Sequence, residues 1–172
     1  MIEKAKVETR SFNGVRVVVH TSLTYDVVLG KVRSLMGAST VGEVVALAKK
    51  PITEAEFTRE VEDRLVGESG FMLFAEIDHG GWLPKFGIEQ RTMRLIIGNP
   101  LYAITMIRLD ITAGLFAPVE LLVTENIDWA GAKVTYVRPS SLMVVEDNLP
   151  LLAAVQALDG KLLELVAKAT NV

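Results

Sequence analysis

The sequence predicts one α+β domain built on a mixed or mainly antiparallel sheet of five to six strands, with helices packed mainly on one face. Three observations predict it. The strand-like runs come in clusters and do not alternate strictly with helices, which argues against a doubly wound parallel sheet. Helix starts are written plainly by capping residues ahead of apolar periodicity. The 172 residues contain no linker, repeat or low-complexity stretch and are enough to bury a core without staples, so the whole of 1–172 is read as a single domain.

Residues 4–20 read as two strands around a turn at Asn13-Gly14, the second being the β-branched run from Val15 to His20. Thr24 caps a helix running to Met36, with Val28, Val32 and Leu35 on one face and Gly37 placed as a left-handed C-cap. Thr40 with Glu43, and Thr53 with Glu56, have capping-box spacing. Pro51 stops the first of these two helices, and Ile52 and Phe57 have the spacing of a hydrophobic staple on the second. Gly67 ends it.

Residues 71–79 read as a strand whose first half is apolar on both faces, which points to a central place in the sheet. Gly80-Gly81 breaks it, and 82–89 form a loop or a short helical turn. Residues 92–97 are a further strand. Asn99 then caps a helix with Pro100 in its first turn, reaching about Leu109. Ala113-Gly114 turns the chain, and 119–125 with 132–138 form a hairpin. Asn148 caps a last amphipathic helix to about Ala169, with Gly160 weakening its middle.

Several function classes are removed by composition. The chain has no cysteine, so thiolate catalysis, disulfides and zinc–thiolate sites are absent from it. Its only histidines, His20 and His79, cannot make a three-histidine metal site, and neither a metal nor a cofactor is expected. Net charge is −3 with the signs interspersed, without the basic stripe that nucleic-acid binding requires. No apolar run reaches the roughly 18 residues of a membrane span. Charge near the start, where a signal peptide needs its apolar stretch, leads us to expect a cytoplasmic protein. Hydrophobic residues make up 50%, and the mean hydropathy of +0.35 is high for a soluble monomer. A homodimer is therefore expected, with apolar surface in the subunit contact.

His79 is the sharpest candidate for chemistry. It ends a strand beside Asp78 and two glycines, Gly80 and Gly81, that let a ligand approach the backbone. A histidine so placed can serve as a general base near neutral pH; the plainer reading is a strand-end histidine bonded to a loop carbonyl. Because neighbouring strand residues face opposite ways, Asp78 and His79 form a direct pair only if the glycines bend the strand. Trp82 can lid a pocket or anchor a subunit contact. Lys85 and Arg91 can hold an anion or merely be solvated. The Asn99 helix start can aim backbone N–H groups at an anion or be a cap and nothing more. Glu120 or Glu125 with Tyr136 would complete an acid–base cluster if they shared a face near His79.

These residues give three readings. The first is a small-molecule-binding module with a pocket near the 78–86 loop and the 98–100 turn. The second is a metal-independent enzyme using His79 as general base on a small carbonyl or ester. The third is an interaction scaffold that docks a partner through the helices of 40–66.

The run from Gly70 to His79 resembles the strand "Gly-Phe-x-x-Phe-x-x-Ile-Asp-His" of the family called domain of unknown function 302. Arg94–Pro100, ending in Gly-Asn-Pro, is similar to that family's next strand. Ala113–Val123 resembles its Gly-Leu-x-x-Pro loop and strand, and Val134–Pro139 its Tyr-x-x-Pro segment. The terminal helix with Leu158-Asp159 also fits. The resemblance implies a compact α+β domain, often a homodimer, and no established activity. Two departures stand out: a helical pair over 40–66, and an Asp-His-Gly-Gly-Trp loop in place of an Ala-rich continuation.

Overall fold

The structure is a computed structural model that describes residues 5–172. It is an α+β fold on a five-stranded sheet of β1 (Arg16–Thr21), β2 (Met72–Asp78), β3 (Thr92–Gly98), β4 (Val119–Glu125) and β5 (Ala132–Val137). The spatial order is β1-β5-β4-β3-β2, and every neighbouring pair is antiparallel. The helices are α1 (Tyr25–Leu35), α2 (Val41–Ala48), α3 (Glu54–Arg64), α4 (Pro100–Ile107), α5 (Ser140–Met143) and α6 (Leu149–Thr170).

Period-2 alternation sets the faces. In β4 and β5, Val119, Leu121, Val123, Ala132, Val134 and Tyr136 are buried under the helices. Glu120, Leu122, Lys133 and Thr135 occupy the opposite, open face. Val28 and Val32 of α1, and Val155, Leu162 and Val166 of α6, are fully buried against that first face.

Thr24, Thr40, Thr53, Asn99 and Asn148 all accept a hydrogen bond from the first turn of the helix they precede. Both capping boxes are closed, with the carboxylates of Glu43 and Glu56 reaching back to the backbone N–H of Thr40 and Thr53. Helix α6 runs unbroken through Gly160, where an added Cβ would meet nothing within 4 Å. Gly160→Ala is therefore expected to stabilise the domain by about 1 kcal/mol, read as a raised midpoint in urea.

Four expectations are corrected. Residues 5–15 carry no strand, so only the second of the two N-terminal strands forms, and residue 4 lies outside the described residues. The strand at 72–78 is an edge strand and not a central one. Its two-sided burial comes from different partners: Phe71 enters the main core, and Met72 turns away into a second cluster with Leu47, Val61 and Leu65 of the α2–α3 pair. Gly37 has no positive φ, and α1 ends on an extended Met36. Finally, Ala113-Gly114 is not a turn between elements but lies within a 3-10 helix, Ile111–Phe116.

Candidate functional site

Antiparallel geometry decides which candidates meet. Strand β3 begins beside the 78–91 loop and ends at Gly98. Six residue steps at roughly 3.3 Å put these ends about 20 Å apart. The 78–86 loop and the 98–100 turn therefore cannot border a single small-molecule pocket, which corrects that part of the expectation.

At the His79 end, the side chains are already committed to one another. Asp78 accepts from the Gly81 N–H at 3.0 Å. Arg91 donates to Asp26 at 2.7 Å, and its guanidinium carbon lies 4.3 Å from the centre of the Tyr25 ring. That pairing holds the Asp26 carboxyl below its usual range. Gly80 is needed for close approach, since a Cβ there would sit 2.9 Å from the Thr92 nitrogen. His79 stacks edge-on with Trp82 at 5.7 Å, and Trp82 with Phe86 at 6.0 Å. Its Nδ1 is buried with no hydrogen-bond partner among the described residues. Trp82, Lys85 and Phe86 are exposed. Five of the best-formed cavities among the described residues have no wall residue between 78 and 91.

Neither carboxylate, Glu120 or Glu125, meets Tyr136: Glu125 is on its face but pairs with Ala132, four residues and roughly 13 Å along β5 from Tyr136. Glu120 stands on the open face, bonded to Arg94 at 2.9 Å, while Tyr136 is buried on the helix face of β5. Burial raises the Tyr136 phenol above its usual range, which holds it as a neutral hydroxyl. The alternation that buries one of these residues exposes the other, so no ligand on one side of the sheet meets both.

The other end of β3 is hollow. A cavity of ≈ 180 Å³ lies between β3, α4, the 117–118 loop and α6. Phe71, Phe74 and Gly98 form one wall, Pro100, Tyr102, Ala103 and Met106 the next, and Ala117, Pro118, Val119 and Leu158 the rest, with Asn99 at the turn. The sequence builds this corner by stopping a strand and starting a helix within three residues. Gly98 ends β3 where a Cβ would come 2.8 Å from Phe74 Cε2 and 3.2 Å from Pro118 Cβ. Asn99 caps α4, and Pro100 supplies its first residue without needing a donor.

The polar groups of this corner are spent. Asn99 Oδ1 accepts from the Leu101 N–H at 2.7 Å, and Asn99 Nδ2 donates to the Gly70 carbonyl at 2.8 Å. The Tyr102 and Ala103 N–H groups donate to the Asn99 carbonyl at 3.1 and 3.0 Å. The helix start thus offers an anion no free donor, and Asn99 serves as cap and wall. Tyr102 packs edge-to-face on Phe71 at 5.6 Å. Gly70, at φ 76°, makes room for the Tyr102 hydroxyl, which would lie 2.0 Å from a Cβ there. Among the described residues no acid, base or nucleophile besides that phenol forms part of the wall. Such a lining can hold an apolar body and exclude water.

A larger cavity of ≈ 470 Å³ near the N-terminal segment is less suited to a ligand. Arg10 crosses it to Glu146 and also bonds Glu8, and Asp110 is committed to the Thr112 N–H at 2.8 Å. Among the described residues no cluster of three or more His, Asp or Glu side chains could hold a metal, and no helix is long and apolar enough to cross a membrane.

The sequence singled out the 98–100 turn but not Phe71, Tyr102, Met106 or Leu158, which meet there from three separate segments. The one local signal was Gly-Asn-Pro itself, an abrupt strand-to-helix switch that leaves a corner to be filled.

Comparison with known proteins adds a family. The model of "Domain of unknown function DUF302" matches residues 46–169, most of the chain. The chain belongs to the DUF302 family. Its fold is also that of a solved structure, described as the crystal structure of uncharacterized conserved protein DUF302 from Bacillus stearothermophilus. The two share 14% identity at a TM-score of 0.61, over 90% of this chain and 97% of the other. No curated protein matches the sequence. The DUF302 match starts inside α2 and ends inside α6, so it contains every wall of the apolar cavity.

Proposed function

We propose that this DUF302 protein is a small-molecule-binding module whose ligand places an apolar body, about the size of one aromatic ring, in the cavity beside Gly98–Pro100. The observation that carries the reading is the hollow's lining: ≈ 180 Å³ enclosed by an almost wholly apolar wall, in which the Asn99 side chain is already satisfied. An enclosed apolar cavity of about 150 Å³ takes up benzene, and this hollow, open to solvent on one side, has room for a body of the same size. A ring in the hollow would exchange water against the apolar wall for apolar contacts.

Ethylbenzene is the probe. At a tenfold excess over its Kd it should stabilise the fold by about 1.4 kcal/mol through linkage. For a domain of this size that is a rise in Tm of about 3–6 °C. An unchanged Tm up to the solubility limit of the probe would count against the reading.

Assembly as a homodimer remains our proposal. It is supported by the high apolar content and by Val18, Ile77 and Val137, which stay exposed on the sheet. Light scattering that gives a monomer at micromolar concentration would remove it.

A further inference from the structure

The geometry points to a ligand with an anionic head, a small arylalkyl or branched-chain carboxylate, whose tail fills the apolar cavity and whose carboxylate pairs with Lys161 at its mouth. This deepens the cavity reading and rests on it. Tyr102 is a wall shared by two adjoining spaces, the apolar hollow and a polar cleft of ≈ 180 Å³ that includes Lys161. Leu158 lines the hollow, and Lys161 lies three residues further along α6. Residues at that spacing share a helix face, with Cβ atoms about 5–6 Å apart. The Lys161 ammonium lies 4.8 Å from the centre of the Tyr102 ring.

Among the described residues Lys161 has no ion-pair partner. The two carboxylates of the cleft, Glu68 and Glu164, are both taken by Lys168 at 3.1 Å. The cleft holds two cations and two anions, and the cation left over stands next to the apolar hollow. A lysine carries its charge on a flexible four-carbon stem, so the ammonium can leave the ring face for a carboxylate at the mouth. The aryl ring of such a ligand would bury its apolar area, and the charge would stay at the wet rim, where desolvation costs least.

Calorimetric titration with three probes tests this: ethylbenzene, 3-phenylpropionate and the neutral isostere 3-phenylpropionamide. The wild-type protein should bind the acid about tenfold more tightly than the amide, equivalent to about 1.4 kcal/mol. Raised salt should weaken the acid alone. Lys161→Met, which keeps the stem and removes the charge, should abolish the preference and leave ethylbenzene binding unchanged. Equal affinities for acid and amide, with ethylbenzene still binding, would overturn the anionic head and leave the cavity reading standing. An equal loss of all three probes in Lys161→Met would reduce Lys161 to packing on Tyr102 and also overturn it. Failure of every probe on the wild-type protein would overturn both.

Discussion

Gly37→Ala is expected to cost on the order of 3–5 kcal/mol, a large part of the 5–15 kcal/mol that holds a domain folded. A Cβ at Gly37 would lie 1.9 Å from the Leu65 carbonyl oxygen and 2.7 Å from its carbon. From the other side, a Cβ at Gly67 would lie 2.3 Å from the Met36 carbonyl carbon. Two backbones therefore cross in contact, and neither neighbour is a side chain that can swing away. The crossing is bonded as well as tight: the Phe71 carbonyl accepts from the N–H of Gly37 at 2.9 Å and of Gly67 at 3.0 Å. The same knot seats Phe71, a wall of the apolar cavity, so the variant should lose ligand response along with stability. Gly30→Ala is the control, since a Cβ there meets nothing within 4 Å inside α1. Urea denaturation should separate the two variants widely; Gly37→Ala within 1 kcal/mol of wild type would contradict the crossing.

Ala103→Leu is expected to remove binding while the fold survives. Ala103 is half-buried on α4 and faces the hollow, and leucine is nearly as good a helix former as alanine. The added methyl groups would take the space meant for a ring. Forcing a ligand past them costs about 1–3 kcal/mol of overpacking, roughly a tenfold to hundredfold loss of affinity. Without ligand the filled hollow should leave Tm level or slightly raised, because apolar contacts replace water at its wall. A variant with native circular dichroism and wild-type affinity would place the ligand elsewhere.

Local interactions are the ones legible in the sequence. Caps at Thr24, Thr40, Thr53, Asn99 and Asn148 are satisfied within a few residues, so their side chains announce them in the sequence. The β4–β5 hairpin is likewise local. The place of β2 at the sheet edge was hidden because apolarity on both faces reports two-sided burial, and helices supply that as well as strands do. Gly37 and Gly67 carry the sequence signature of helix terminators, although what they serve is a contact between segments some thirty residues apart. The His79 loop drew attention through residue types that carry chemistry, yet Glu120 and Tyr136 are kept from it by strand register, which no single motif contains. The cavity was the least visible feature. An apolar hollow is lined by the same leucines, phenylalanines and methionines that fill a core, and only packing tells the two apart.

Met106 offers the most direct test of the cavity. It is one of six methionines, 1% exposed, and it lines the hollow, whereas Met143 lines the larger cavity near the N-terminal segment. With methionine methyl groups carbon-13 labelled, an ethylbenzene titration should shift the Met106 resonance saturably and leave Met143 in place, and Ala103→Leu should abolish the shift. A Met106 resonance that stays fixed while the probe is in excess, or a response confined to Met143, would contradict the account.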